Sequence, residues 1–182
     1  MKKNEFAELF QRLEQGFDAL PGIGPQAARR LARHVFKPAG AAELAECIQS
    51  AQQFTRCEQC RMPITTECDG CGNASSGELL IVEQADQALT WREFGFSGRV
   101  FVLHGLLSPA AGCGPTELGL AQLKRVVAEL QPFAIWLQFN GGVEAQVTEQ
   151  FIRNLLPEMS LRSWSADDLQ QHLHINGAKS SD

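Results

Sequence analysis

The chain has 182 residues, enough for one domain, or for two or three small modules stabilised by something other than a large core. It is 44% apolar and 20% charged, and no apolar run approaches the roughly 18 residues of a membrane span, which excludes a helical membrane protein. With 16 basic and 21 acidic side chains the formal charge is −5, so no uniform positive field draws the molecule onto nucleic acid, and any such contact must be local.

The first residues, Met1-Lys2-Lys3-Asn4-Glu5-Phe6, lack the apolar stretch and small-residue cleavage site of a secretory signal, and a cytosolic protein is expected. Residues 4–20 place Phe6, Leu9, Phe10, Leu13, Phe17 and Leu20 at spacings of three and four, the stripe of an amphipathic helix. Leu20-Pro21-Gly22-Ile23-Gly24-Pro25 then breaks the helix, since two prolines lack donors and two glycines permit backbone conformations closed to other residues. Pro25 suits the first turn of a second helix, Gln26 to Phe36, which Lys37-Pro38-Ala39-Gly40 ends; Ala41 to Phe54 reads as a third.

Four of the six cysteines form Cys57-x2-Cys60-x7-Cys68-x2-Cys71. Two such knuckles can wrap four thiolates around one tetrahedral zinc, with Gly70 and Gly72 easing the tight turns. A pair of disulfides is the alternative, but a reducing cytosol argues against it, and four cysteine ligands leave no open position for a catalytic metal. Cys47, on a helical pattern, and Cys113, in a Gly-rich loop, read as small packed residues.

Beyond Ser75-Ser76-Gly77 the period changes. Strand-type runs at Glu78–Glu83, Arg99–Leu103 and Phe133–Phe139 alternate with helical stretches at 86–94, 116–130 and 144–156, the middle one preceded by a long loop from His104 to Pro115. Such alternation implies a parallel sheet covered on both faces. Ser160 to Trp164 is a candidate fourth strand, Ala166 to Leu173 a last helix, and residues 176–182 a frayed tail.

The Pro-Gly-Ile-Gly turn resembles the hairpin of a helix-hairpin-helix element, in which backbone N–H groups of the turn and of the next helix N-terminus face a phosphate. Between Pro21 and Lys37 lie Arg29, Arg30, Arg33 and Lys37 and no carboxylate, a local +4 in a chain of net −5. DNA is favoured over a solvated inter-helix turn. Gly22, Gly24, Gln26, Arg29, Arg30 and Arg33 are the candidate contacts, and they would position phosphates without reading bases.

The order of parts resembles the RecR family of recombination mediators: a helix-hairpin-helix, a four-cysteine zinc finger and a Toprim domain. The resemblance covers roughly residues 5–156. It rests on Leu20–Pro25, Cys57–Cys71, Ile81-Val82-Glu83, Phe96–Pro109 with Gly112, Gly114 and Pro115, and Asn140-Gly-Gly-Val-Glu144 with Thr148. It implies an α/β multi-module fold: a helical domain at 1–54, a four-cysteine zinc finger at 55–76, a Toprim-like parallel sheet with helices on both faces at 77–157, and a shortened C-terminal part at 158–182. It also implies a cytoplasmic, nucleoid-associated dimer or tetrameric ring. Such a ring binds DNA at gaps or single-strand/duplex junctions and works with RecO- and RecF-like partners to help load RecA.

Toprim enzymes hold magnesium with a Glu after the first strand and an Asp-x-Asp after a later one. Glu83 is in place, but Gln138-Phe139-Asn140-Gly141-Gly142 offers no Asp-x-Asp, only Glu144 one turn on, and the chain has no tyrosine to act as a DNA-linking nucleophile. Glu83 and Glu144 are therefore candidate acidic or partner-binding residues, and no catalytic residue is expected. A metal-dependent Toprim nuclease and a protein-interaction subunit that has lost DNA stand as alternatives. The chain departs from the family pattern in three places. Gln26 replaces the usual Lys, Ala110-Ala111 and Gln146 replace acidic positions, and no Gly-Pro-x-Gly-Gly-x-Leu-Glu-Tyr-like stretch follows Leu161-Arg-Ser-Trp164.

Overall fold

The structure is a computed structural model that describes residues 4–37, 41–72 and 77–163. The chain forms two compact units, residues 1–53 and 54–182.

In the first unit, helix α1 (Glu5–Asp18) packs on α2 (Pro25–Val35), and α3 (Ala42–Ala51) follows. Small side chains allow the close α1–α2 approach: Ala28 and Ala32, one turn apart on α2, are the buried residues of that helix. Phe6, Phe10 and Phe36 form a ring cluster with centroids 5.0 to 6.1 Å apart. Neither α1 nor α3 buries a residue completely, and Phe6, Leu9, Leu31, Leu44 and Ile48 stay exposed. Cys47 is exposed too, which corrects the expectation that it packs.

The second unit is built on four parallel strands in the order β4-β3-β5-β6, with β3 at Glu78–Val82, β4 at Arg99–Val102, β5 at Ala134–Gln138 and β6 at Leu161–Ser163. Central strands β3 and β5 are apolar without alternation because both faces are covered. Leu79, Ile81, Phe101, Leu103, Ile135 and Leu137 face one cluster with Leu120, Leu123 and Val127 of α6 (Leu120–Leu130) and Ile152 of α7 (Val143–Leu155). Leu80, Val82, Val100, Val102 and Trp136 face the other, with Ala88 and Trp91 of α5 (Ala85–Glu93). Full burial of one such aliphatic side chain contributes about 1.5–3 kcal/mol.

The cysteine segment belongs to this second cluster. Two-residue strands β1 (Thr55–Arg56) and β2 (Pro63–Ile64) pair antiparallel, a four-residue helix α4 (Asp69–Gly72) follows, and Cys57, Cys60 and Met62 are buried against the sheet. Val102 N–H donates to Cys60 O at 2.9 Å, which ties the knuckle to strand β4.

The alternation of strands and helices appears in the expected places, with two differences. Helix α6 starts at Leu120 and not Thr116, because Gly119 takes a left-handed backbone (φ 65°) and the preceding residues close turns instead. The cysteine segment contains the short β1–β2 ribbon, too brief to register as a strand pattern. The expected fourth strand is present as Leu161–Ser163, whereas Pro38–Gly40, the helix at 166–173 and the tail lie outside the described residues.

Candidate metal centre and nucleic-acid interface

The hairpin connecting α1 and α2 is a type II turn. Ile23 N–H donates to Leu20 O at 3.1 Å across Pro21 and Gly22, and Gly22 takes φ 76°, the value this turn requires at its third residue. Gly24 caps α2 with extended backbone, Pro25 occupies the first position, and Ala28 N–H returns to Gly24 O at 3.0 Å. Gln26 and Ala27 lie in the first turn, where backbone N–H groups have no intrahelical acceptor. A side chain added at Gly22 or Gly24 would meet nothing within 4 Å, so a ligand has open access to the backbone there.

Gln26, Arg29, Arg30 and Arg33 are all exposed on the same helix. They differ in pairing: Arg29 Nε lies 3.4 Å from Glu14 Oε1, whereas Arg30 and Arg33 have no carboxylate partner among the described residues. Among these residues Arg30 and Arg33 are therefore unpaired on the helix whose first turn carries the free amides, whereas Arg29 is paired with α1.

The four cysteines converge. Cys57, Cys60, Cys68 and Cys71 bring their Sγ atoms within 4.8 Å of one another, with Cys60–Cys68 at 3.1 Å and Cys57–Cys71 at 3.7 Å. A tetrahedron with metal–sulfur bonds of about 2.3 Å has sulfur–sulfur edges of about 3.8 Å, so the cluster fits a closed four-thiolate metal site. No backbone rearrangement into disulfide pairs is needed to explain it. Around Cys57 the first knuckle closes through Gln59 N–H to Cys57 Sγ (3.4 Å), Arg61 N–H to Cys57 O and Cys57 N–H to Met62 O (both 2.9 Å). Gly70 serves by close approach and not by unusual torsion, because a Cβ there would sit 2.8 Å from Cys60 Sγ and 2.7 Å from Met62 Cγ. Crowded thiols share protons: hydrogen bonding from Cys60 holds Cys71 down at about 5, while the same sharing and burial push Cys60 up, and burial pushes Cys68 up.

Arg61, which no sequence pattern singles out, joins this centre to the sheet. It is 7% exposed with φ 63°, and its Nη2 donates to Glu117 O at 2.7 Å and to Leu103 O at 3.3 Å. Burial, and next the neighbouring Arg56, lower its pKa. His104 Nε2 lies 2.7 Å from Arg61 O and donates to it, so the residue at the β4 exit is fixed against the knuckle. Arg92 adds a third tie, donating to Phe96 O at 2.7 Å and to Gly70 O at 3.3 Å.

The acidic candidates lie at the carboxyl end of the sheet, where β3 is flanked by β4 on one side and β5 on the other; this is the switch point at which open α/β sheets bind ligands. Glu83 follows β3 directly and has one carboxylate oxygen, Oε2, buried without a hydrogen-bond partner. Glu144 is exposed in the first turn of α7, behind Gly141-Gly142. Among the described residues the cysteine quartet is the one grouping of three or more potential metal ligands, so Glu83 and Glu144 do not form part of a comparable carboxylate set. Cys113 is half-buried against the core and bridges Ser108 through two backbone hydrogen bonds.

A helical hairpin with a glycine-rich, donor-bearing turn, a four-cysteine cluster with the geometry to hold a metal ion and a parallel sheet with an acidic switch point together define a multi-module α/β protein. A family model described as RecR, helix-hairpin-helix, matches residues 10–52. The recombination protein RecR of Legionella pneumophila strain Corby is 32% identical over 158 residues, spanning 83% of this chain and 80% of that protein, and those of strains Lens and Paris match equally. The chain belongs to the RecR family of recombination proteins.

Proposed function

We propose that this RecR-family chain is a non-enzymatic recombination mediator that binds gapped or single-strand/duplex DNA through its hairpin and helps load RecA together with RecO- and RecF-like partners. One observation carries the reading. The type II turn leaves Gly22 and Gly24 open beside first-turn amides, with Arg30 and Arg33 on the same helix and without a carboxylate partner among the described residues. Amides, helix dipole and guanidinium groups together suit phosphodiester oxygens.

The metal would be zinc, held by Cys57, Cys60, Cys68 and Cys71 in a structural role, since four thiolates close the coordination shell. Zinc there would fix the knuckle that Arg61, Arg92 and Val102 attach to the sheet. Glu83 and Glu144 would serve partner contact, because two carboxylates without an Asp-x-Asp are too few for two-metal phosphoryl chemistry. Self-association would cover Phe6, Leu9, Leu44 and Ile48, exposed in a unit whose own core is small, and would place two basic turns side by side, raising avidity.

Gel-shift titration on gapped DNA tests the reading. Arg30→Ala should weaken binding with the fold intact by circular dichroism; unchanged affinity would remove the hairpin contact. Glu83 Oε2, buried and without a hydrogen-bond partner, favours a nuclease as the second reading. Incubating labelled DNA with Mg²⁺ or Mn²⁺ separates the two, since cleavage abolished by Glu83→Ala would establish the enzyme.

A further inference from the structure

We propose that the unit formed by residues 54–182 carries a second anion site, a phosphate-binding pocket between the cysteine knuckle and the N-terminus of α6. A cavity of about 620 Å³ open to solvent is lined by Arg56, Glu58 and Arg61 from the knuckle and by Ala121, Gln122 and Arg125 from α6. Cys57 lines it too, and three guanidinium groups against the Glu58 carboxylate and the Cys57 thiolate still leave this lining a formal +1 in a chain of net −5.

Arg61 points to a ligand most directly. It is more than nine-tenths buried, its two hydrogen-bond acceptors are neutral carbonyls, and its Nε–H has no acceptor at all. A buried charge without an ionic partner is costly, and an oxyanion in the cavity would compensate it. Neither exposed arginine is neutralised nearby: Arg56 has no ion pair among the described residues, and Arg125 has only a 3.9 Å contact with Glu129. The pocket also receives the start of α6. Ala121 and Gln122 occupy its first turn, and their N–H groups find no backbone acceptor among the described residues. Amides at a positive helix end, next to guanidinium forks, match the tetrahedral oxygens of a phosphate better than a planar carboxylate or a neutral ligand.

Glu58 does not cancel the site. Its backbone oxygen is what engages α6, accepting from Gln122 Nε2 and, at 3.5 Å, from Arg125 Nη2, so these contacts brace the rim and leave the guanidinium charge available. The four thiolates of the metal centre are a competing counter-charge for Arg61, and the experiment separates that role from phosphate binding. The phosphate can come from a nucleic-acid strand or from a free nucleotide or inorganic phosphate, and the recognition chemistry is shared.

The test uses the zinc-loaded full chain carrying Arg29→Ala, Arg30→Ala and Arg33→Ala, so that the hairpin is silent and its failure as a DNA contact cannot be confused with this site. Inorganic phosphate, thymidine monophosphate and a short thymidine oligonucleotide are titrated separately, following the Ala121 and Gln122 amides and the Arg61 Nε–H by NMR. Saturable shifts at these three groups are expected, weakened about tenfold or more by Arg56→Ala with Arg125→Ala, two exposed changes that spare the fold. Equal per-phosphate affinity for all three probes identifies a small-anion site, and saturation by the oligonucleotide alone identifies a strand site. Absence of shifts with every probe at millimolar concentration, or shifts indifferent to the double substitution, overturns the proposal and leaves the arginines as counter-charges of the thiolates.

Discussion

Leu107 N–H donates to Thr148 Oγ1 at 2.8 Å, and the same hydroxyl donates to Glu144 O at 2.7 Å. One fully buried side chain thus fastens the long loop after β4 to the first turns of α7, which bears Glu144 at the acidic end of the sheet. Replacing Thr148 by Val keeps the shape but strands the buried Leu107 amide. Stability should fall by about 1–3 kcal/mol, measured by urea unfolding, whereas Thr148→Ser retains the acceptor and should cost less. Equal losses for both would show that the methyl group, and not the hydrogen bond, matters there.

Gly70 offers a sharper probe of the cysteine cluster than cutting a ligand. A Cβ at this position would press on Cys60 Sγ at 2.8 Å and Met62 Cγ at 2.7 Å, both packed in the core shared with the sheet. Gly70→Ala should therefore lower zinc content, read by elemental mass spectrometry, and loosen the β4 edge, read by faster hydrogen exchange at Val102, whose amide donates to Cys60 O. Full zinc occupancy with unchanged exchange would mean that the thiolates do not depend on this approach.

The residues that sequence reasoning locates most sharply are those whose chemistry is carried by local spacing. Two CxxC pairs and a Pro-Gly-Ile-Gly turn need only a few neighbouring residues to adopt their geometry, and apolar runs such as Leu79–Val82 declare a strand buried on both faces. Arg61 and His104 are invisible to it because their roles depend on partners distant in sequence, 42 and 56 residues away at Leu103 and Glu117 for Arg61, and 43 for His104. The start of α6 lies later than periodicity predicts for a local reason, since Gly119 ends a helical pattern only by adopting a left-handed backbone that leaves room for the Arg61 side chain; a Cβ there would lie 1.9 Å from its Nη1. Periodicity does not record such a tertiary demand.

His104 gives a pH-dependent signal. Burial, and then the nearby Arg56 and Arg61 charges, depress its pKa below the ordinary value of 6.5, against the opposing hydrogen bond to Arg61 O. A depressed folded value means that the unfolded chain binds this proton more readily. The contribution is therefore fully present above 6.5 and is lost as pH falls through the folded value. NMR titration of the imidazole should place its midpoint below 6.5 in the folded protein, and a midpoint at or above that value would show that the hydrogen bond outweighs burial.

Salt dependence distinguishes the two kinds of arginine on α2. Each phosphate contact contributes about 0.7–0.9 to the slope of log affinity against log salt. Arg30 and Arg33 have no carboxylate partner among the described residues, so Arg30→Ala and Arg33→Ala should each reduce that slope by about one contact on gapped DNA. Arg29 already shares its charge with Glu14 at 3.4 Å, and Arg29→Ala should change the slope less. Breaking that pair from the other side, with Glu14→Gln, should free Arg29 and steepen the slope. Identical slopes for all four variants and the parent chain would show that α2 does not lie against the phosphates, even if binding itself persists.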